Sequence, residues 1–163
     1  MTRQEYIQKF RGVVINAVKG TGLFPSVMMA QAILESSDKN GVPGNSSLAK
    51  MYNNHFGIKA DKSWTGKKVN LKTREVFDGK EVIIGDYFRV YDDPIQSFKD
   101  RVEFLKKNQR YAKAGVFSAK NPEDQADALK LAKYATDPNY NTVLKKLISR
   151  LNLEDLDAEC FHV

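Results

Sequence analysis

The sequence predicts an α+β fold, in which a mainly helical body and a small antiparallel β-hairpin lobe flank a cleft. Three observations support this prediction. Apolar residues recur at helical spacing in the N-terminal third, a segment with strand-like composition and an Asp-Gly turn follows, and helical spacing returns from Pro94. A sheet inserted between helical segments is expected to form a lobe beside the helical body, and a cleft between two lobes suits an extended ligand.

The N-terminal third predicts two helices and a short helical turn. The first helix carries an apolar stripe at i, i+3 and i+4 spacing, formed by Tyr6, Ile7, Phe10, Val13, Val14 and Ala17, and "KGTG" ends it. Pro25 suits the first turn of a second helix, "SVMMAQAILES". The loop "SDKNGVPGNSS" follows, and then one more helical turn through "LAKMYN".

The middle of the chain predicts a β-hairpin. Two arms rich in β-formers, "KKVNLKTREVF" and "EVIIGDYFRVY", flank "DGK". The Asp78-Gly79 pair between such arms is a strong turn signal. We therefore place the β-lobe at about residues 65–91.

The C-terminal part predicts further helices. Pro94 begins a stripe of Ile95, Phe98, Val102 and Leu105, and Asn121-Pro122 fits the cap and first turn of a helix carrying Ala126, Leu129 and Ala132. The last helix begins near Pro138 and is expected to bury Tyr140, Val143, Leu144, Leu147 and Leu151. The acidic tail, residues 152–163, is expected to be loosely held.

Length and composition predict one globular domain over residues 1–163. Hydrophobic residues make up 42% and charged residues 28%, which is close to average globular usage. The sequence has no run of eighteen or more apolar residues, so no membrane span is predicted. An apolar segment typical of a signal peptide does not follow "MTRQEYIQKFRG". The export route therefore stays open.

Charge and the rare residue types narrow the function classes. A net charge of +6 favours polyanionic partners such as nucleic acid, anionic membranes or wall polymers. The basic residues are scattered beside acidic neighbours, which is typical of solvated helix faces. The single cysteine, Cys160, excludes an internal disulfide, and with His55 and His162 it leaves too few soft ligands for structural zinc. We predict no metal and no cofactor.

Glu35 is the first candidate for chemistry. It lies one turn on from Gln31, at the border of a helix face that Val27, Ala30 and Leu34 are expected to bury. It also lies near the C-terminal end of that helix, where the dipole disfavours a carboxylate. Partial burial and the dipole should both raise its pKa, as a general acid requires. A solvated glutamate that begins a loop is the alternative.

Six sequence segments in order, the first two separated by a spacer, resemble glycoside hydrolase family 73, the bacterial peptidoglycan N-acetylglucosaminidases. They are "AQAILESS", "SSLAKMYNNHFGIKA", "SWTGKKV", "TREVFDGK", "YFRVYDDPIQSFKD" and "YATDPNY". The resemblance extends from about Val14 to Leu151. It implies a lysozyme-like fold and cleavage of the β-1,4 bond on the N-acetylglucosamine side of the wall glycan.

The resemblance also implies catalytic roles. The catalytic glutamate of the family falls in a helix-end motif that Glu35 matches, and glycoside hydrolysis needs an acid to protonate the leaving oxygen. The second carboxylate of the family lies in the β-lobe, where "KTREVFDG" supplies Glu75. If Glu75 activates a water, the enzyme inverts and the two carboxyls should lie roughly 6.5–9.5 Å apart. If the substrate's acetamido oxygen attacks instead, Glu75 is dispensable.

A tyrosine would matter more in the second route, and Tyr134 in "KYATDPNY" is the candidate. A phenol can donate a hydrogen bond to the acetamido group or to the developing charge. A core aromatic between the last two helices is the alternative interpretation of Tyr134. It follows Lys133 at a position where the family more often has glycine.

Further residues are candidates for substrate binding. The rings of Phe56 and Trp64 suit the apolar faces of pyranose sugars, although Phe56 also fits a small core under its loop. Asn54 could bridge sugar hydroxyls or cap a local turn. Tyr140 is a candidate as well, although its place on the last helical stripe is typical of a core residue.

One departure from the family follows Glu35. The family usually reads "ESGWG-S-LA", and this chain reads "ESSDKNGVPGNSSLA", with a longer loop that lacks the glycine-tryptophan pair. Alternative functions are a lytic transglycosylase, a non-catalytic wall-binding or assembly module, and, last, a nucleic-acid-binding protein. We expect a monomer that acts on peptidoglycan strands at the cell wall, in the periplasm or outside the cell, and does not bind nucleic acid.

Overall fold

The computed structural model describes residues 1–161 of the chain. The helices are α1 (Arg3–Val18), α2 (Pro25–Ser36), α3 (Ser47–Tyr52), α4 (Pro94–Lys107), α5 (Gln109–Ala114), α6 (Pro122–Leu131) and α7 (Tyr140–Arg150), followed by a 3-10 helix (Leu153–Glu159). Strands β1 (Lys68–Phe77) and β2 (Lys80–Arg89) form an antiparallel two-stranded sheet between α3 and α4. The predicted arrangement of a helical body with an inserted hairpin is confirmed.

Local signals in the sequence account for most helix ends. Thr2 forms a capping box with Glu5 at the start of α1. Asp93 and Asn121 accept hydrogen bonds from backbone amides at the starts of α4 and α6, where proline occupies the first turn. Helix α5 was not predicted, because it is only one and a half turns long and follows α4 after a single residue.

Helix α2 is the central element of the body. Every residue from Pro25 to Ile33 is buried, because α1, α6, α7 and the 3-10 helix surround it. The sequence predicted that only one face of this helix would be buried, whereas the helix is buried on all sides from Pro25 to Ile33. Only Leu34 and Glu35, near its C-terminal end, regain partial exposure. Within residues 1–161, no helix has the length and apolarity that crossing a bilayer would require.

The hairpin is anchored at its base and at one edge. Thr73 pairs with Ile84 and Glu75 with Val82 in an uninterrupted register, and Asp78 and Gly79 take positive φ values of 52° and 75° at the turn. The base is held to the body because Arg89 donates its backbone amide to the carbonyl of Ile58, at 3.0 Å. The lobe thus stands beside the helices as predicted, and one face of β1 turns toward them.

The expectation of a loosely held tail is wrong for the part that the structure describes. Leu156 is buried, and Asp157 accepts hydrogen bonds from the backbone amide (2.8 Å) and hydroxyl (2.7 Å) of Ser26. The Phe161 ring stacks on Phe24 with centroids 4.2 Å apart. Phe24, the cap residue of α2, makes no side-chain capping bond, so Asp157 supplies a carboxylate where the helix dipole favours one. His162 lies outside the described residues.

Candidate active site

A cleft of about 620 Å³ lies between the C-terminal end of α2, strand β1 and the segment that joins α6 to α7. Five of the seven candidate residues line it: Glu35, Glu75, Tyr134, Tyr140 and Phe56. They come from four separate parts of the chain, so the fold brings together what the sequence presents apart. Asn54 and Trp64 lie elsewhere.

Glu35 is in the last turn of α2, which ends at Ser36. The residue is partly buried, and enclosure of its carboxyl group raises the pKa from 4.5 to about 7. The hydroxyl of Tyr140 opposes this rise in pKa, and the negative charge of Glu75 adds to it. The raised pKa expected from the position on the helix is therefore present, and burial is its main cause. At neutral pH a large fraction of Glu35 carries the proton that a general acid donates.

Gly57 lets the backbone pass close to Glu35. Its φ is +64°, a left-handed conformation that glycine adopts without strain. A Cβ atom built at this position would lie 3.7 Å from Oε2 of Glu35. The "HFGIK" loop therefore forms a wall against the carboxyl group and contributes to its enclosure.

Glu75 faces the cleft from β1, with 16% of its side chain exposed. The hydroxyl of Thr136 donates to its Oε2 at 2.9 Å, and the same hydroxyl accepts the backbone N–H of Val76 at 3.0 Å. Nζ of Lys59 lies 3.5 Å from Oε1 of Glu75 and 3.1 Å from Asp86. Glu75 is thus held by Lys59, which precedes the hairpin, and by Thr136, which belongs to the segment between α6 and α7.

Tyr134 combines the two interpretations that the sequence left open. Its ring packs between Tyr111, Phe104 and Tyr140, and it is stacked on Tyr140 with centroids 5.9 Å apart. Within residues 1–161 its hydroxyl is buried without a hydrogen-bond partner, although the residue lines the cleft. Burial raises the pKa of this phenol, so it stays protonated and can donate.

The residue before Tyr134 adopts an unusual conformation. Lys133 has a φ of 63°, in the left-handed region that favours glycine. This agrees with the observation that lysine replaces the more usual glycine of the resembled family at this position. The main chain tolerates the lysine here, and the tyrosine still reaches the cleft.

Tyr140 is buried at the start of α7 and belongs to a polar chain behind Glu35. Its hydroxyl accepts a hydrogen bond from Nε2 of Gln31 at 2.7 Å, and the same hydroxyl lowers the pKa of Glu35, which lines the same cleft. Oε1 of Gln31 in turn accepts from Nε (3.0 Å) and Nη2 of Arg101, which is fully buried. Tyr140 therefore lines the cleft with the proposed acid and acts on its pKa, and its position on the core stripe does not remove it from the site.

Phe56 and Asn54 belong mainly to the structure of their loop. Phe56 is 1% exposed and packs edge-on against Phe98, so only its margin reaches the cleft. Asn54 is fully buried, donates to the carbonyls of Ile58 and Arg89, and accepts the N–H of Ile58. The substrate-binding role expected of Asn54 is wrong, because these bonds engage both ends of its amide in joining the loop to β2.

Trp64 lines a different and larger groove, of about 1030 Å³, beside α1 and α4. Its indole packs against Tyr91, lies 4.8 Å from the guanidinium of Arg89 and donates to the carbonyl of Lys67. The structure therefore does not bring Trp64 into the cleft with Glu35. The ring is fixed by this packing and faces the opposite side of the loop.

Sequence reasoning missed several residues that shape the site: Gln31, Lys59, Arg101 and Thr136. A signal existed for two of them. Gln31 precedes Glu35 by one helical turn, and Arg101 falls three residues after Phe98, on the buried stripe of α4. A charged or amide side chain at a core position needs a partner, and here the partners are each other. Lys59 and Thr136 gave no such signal, because both are exposed loop positions.

Comparison with known proteins places the chain in a family. The model of the Glucosaminidase family, described as mannosyl-glycoprotein endo-beta-N-acetylglucosaminidase, matches residues 12–153. The chain belongs to this family. The resemblance to glycoside hydrolase family 73 that the motifs indicate is thereby confirmed.

Relatives and solved structures agree with this membership. The chain is 39% identical over 161 residues to a probable N-acetylmuramidase of Lactococcus lactis subsp. cremoris, covering 95% of this chain and 35% of the relative. It is 34% identical over 138 residues to the exo-glucosaminidase LytG of Bacillus subtilis, covering 83% of this chain and 46% of the relative. The chain thus spans between a third and a half of these relatives' length.

The fold is shared with the catalytic domain of the autolysin Auto from Listeria monocytogenes. The TM-score is 0.75 at 35% identity, and the match covers 95% of this chain and 87% of the other. The prediction of a lysozyme-like glucosaminidase fold is therefore confirmed.

Proposed function

We propose that this glucosaminidase-family domain hydrolyses the β-1,4 bond on the N-acetylglucosamine side of bacterial peptidoglycan, with Glu35 as the general acid. The observation that carries the proposal is the state of Glu35 in the cleft. Its carboxyl is enclosed, its pKa is raised to about 7, and a second carboxylate lines the same cleft. A glycosidase needs this pair of carboxyl groups in different protonation states.

The surroundings of Glu75 support the role of a base. Nζ of Lys59 lies 3.5 Å from one of its oxygens and the hydroxyl of Thr136 donates to the other at 2.9 Å, so the carboxyl group is held in a fixed orientation in the cleft. In an inverting reaction Glu35 protonates the leaving oxygen while Glu75 activates a water on the other face of the sugar. In a substrate-assisted reaction the acetamido oxygen of the substrate attacks instead, and the buried hydroxyl of Tyr134 would have to become accessible before it could bind the acetamido group.

The names of the relatives differ on the bond that is cleaved. One is called a muramidase and another a glucosaminidase. The description of the family favours the glucosaminidase reaction. Mass spectrometry of digested sacculi separates these reactions, because a glucosaminidase leaves reducing N-acetylglucosamine ends and a muramidase leaves reducing N-acetylmuramic acid ends. A lytic transglycosylase would leave 1,6-anhydro products.

The test of the acid is Glu35→Gln, assayed by clearing of a peptidoglycan suspension. We expect turnover to fall by about 10²–10⁴-fold with the circular dichroism spectrum unchanged. Glu103→Gln on the exposed surface of α4 is the matched control and should clear like the wild type. Undiminished clearing by Glu35→Gln refutes the assignment, and sacculus binding without release of reducing ends by the wild type indicates a non-catalytic wall-binding module.

Glu75→Gln tests the mechanism in the same assay. Loss of turnover supports the inverting base, and near-normal turnover supports substrate assistance. The proposed site of action is the cell wall, with peptidoglycan strands as the partner and the domain acting as a monomer.

A further inference from the structure

The polar chain behind Glu35 contains a buried arginine without a carboxylate partner. Arg101 is fully buried, and its hydrogen bonds go to a single acceptor, Oε1 of Gln31, through Nε and Nη2. Its guanidinium lies 5.9 Å from the ring centroid of Phe56, and its Nη1 has no hydrogen-bond partner among the residues that the structure describes. Burying a cation costs free energy unless the charge is paired or its donors are engaged in hydrogen bonds.

The two donors of Arg101 determine how the amide of Gln31 is oriented. Because Oε1 accepts from arginine, Nε2 must point the other way, toward the hydroxyl of Tyr140 at 2.7 Å. That hydroxyl then acts as an acceptor, so its own hydrogen is free to point to Glu35. If the amide reversed, its oxygen would attract the hydrogen of Tyr140 away from Glu35.

We propose that Arg101 is a positioning residue for the reaction: by fixing the amide of Gln31, it directs the hydroxyl hydrogen of Tyr140 to the carboxyl of Glu35. This rests on the proposed role of Glu35 as general acid. A hydroxyl hydrogen directed at the carboxyl stabilises its ionised form, and Tyr140 accordingly lowers the pKa of Glu35 below the value that burial alone would give. The arrangement thus keeps the acid able to release its proton near neutral pH.

Other ionisable groups line the cleft together with Glu35. Of these, only Tyr140 is substituted in the variants proposed below. By element, they are Lys59 and Asp61 before β1, Arg74 and Glu75 on β1, Arg110 on α5, Lys133, Tyr134 and Asp137 before α7, and Tyr140 on α7. Of these, Tyr140 lowers and Glu75 raises the pKa of Glu35.

The test is an NMR titration of the Glu35 carboxyl carbon, assigned as the signal absent from Glu35→Gln. We expect Tyr140→Phe and Arg101→Met each to move the midpoint upward by about one pH unit, the effect of losing one hydrogen bond to a charged group. Loss of the arginine's charge could act directly as well, so the double variant decides. If Arg101 acts only by orienting the hydroxyl of Tyr140, Arg101→Met should cause no further shift of the Glu35 midpoint in the Tyr140→Phe background. A double variant in which the two single shifts add up overturns the proposal.

Gln31→Glu is the second variant, for the case in which Arg101→Met does not fold. The new carboxylate keeps an acceptor for Arg101 but has no N–H for Tyr140, so the hydroxyl hydrogen should turn to residue 31. The midpoint of Glu35 should again rise, and the rise should be smaller in the Tyr140→Phe background, where only the negative charge of the new carboxylate remains to raise it. A rise of the same size in both backgrounds contradicts the proposal.

The pH profile of clearing separates this inference from the proposed function. If Glu35 is the acid, the alkaline limb of kcat should move upward with the NMR midpoint in the same variants. A moved midpoint with an unmoved limb refutes Glu35 as the acid and leaves the orientation intact. An unmoved midpoint in Arg101→Met, with a rise in Tyr140→Phe, refutes the role of Arg101 alone.

Discussion

Glu35→Gln should make the protein more stable at neutral and alkaline pH. The folded structure raises the pKa of this carboxyl from 4.5 to about 7, so folding opposes its ionisation. Below the unfolded value both states are protonated and the glutamate costs nothing. As the pH rises through the folded value, the unfolded state gains from ionisation and stability is lost.

The size of the effect follows from the shift. Each unit is worth about 1.4 kcal/mol, so a rise from 4.5 to about 7 corresponds to about 3 kcal/mol in the free energy of unfolding. Glutamine does not ionise and avoids this cost. For a chain of this length the melting temperature of the variant should exceed that of the wild type by roughly 6–12 °C above pH 7.

Guanidinium unfolding followed by the fluorescence of Trp64, the single tryptophan, measures this difference at several pH values from about 4 to 8. The two proteins should be equally stable at the acid end and diverge as the pH rises. Glu103→Gln controls for the loss of one negative charge on the exposed surface. Parallel stability curves for Glu35→Gln and wild type would show that the carboxyl is not held in an unfavourable environment.

Three further predictions concern the shell of the site. His55 is buried against Tyr6 and its pKa is lowered from 6.5 to about 4, so the free energy of unfolding should fall by about 3 kcal/mol as the pH drops through this window, and His55→Gln should remove that dependence. Thr136→Val removes the hydroxyl that joins Glu75 to the β1 backbone, so amide exchange in β1 should accelerate and clearing should slow. Lys133→Gly relieves a φ of 63° and should stabilise the protein by about 1 kcal/mol in thermal melts.

Control variants distinguish these predicted effects from a nonspecific loss of stability. Thr73→Val changes another threonine of the cleft wall and should leave β1 exchange near wild type. Lys130→Gly, inside α6, should destabilise by about 1 kcal/mol, opposite in sign to the change at Lys133. An unchanged acid dependence in His55→Gln, unchanged β1 exchange in Thr136→Val, or a lower melting temperature in Lys133→Gly would contradict the respective interpretation.

The sequence was sufficient for features that depend on local patterns. The Asp78-Gly79 turn, the Pro25, Pro94 and Pro122 helix starts and the position of Glu35 at a helix end are encoded within a few residues of each feature. The spacing of apolar residues then determined which faces form the body. These signals are local because backbone geometry and capping are local.

Long-range contacts were beyond the reach of the same reasoning. Asn54 looked available for sugars, yet its amide is used by carbonyls at Ile58 and Arg89, the second of which is 35 residues away. Trp64 is adjacent to the cleft in sequence but turns to the other side of its loop because Arg89 and Tyr91 pack against it. Pairings of this kind depend on the tertiary fold, which no short window of sequence contains.

The bond between Ser26 and Asp157 has a consequence for the order in which the domain can mature. These residues are 131 positions apart, and the bond closes the N-terminal end of the helix whose other end carries Glu35. During synthesis, α2 leaves the ribosome long before the carboxylate that completes it. The acid therefore gains its fully supported setting only after nearly all of the described chain has been made, which delays the active site to the last stage of folding.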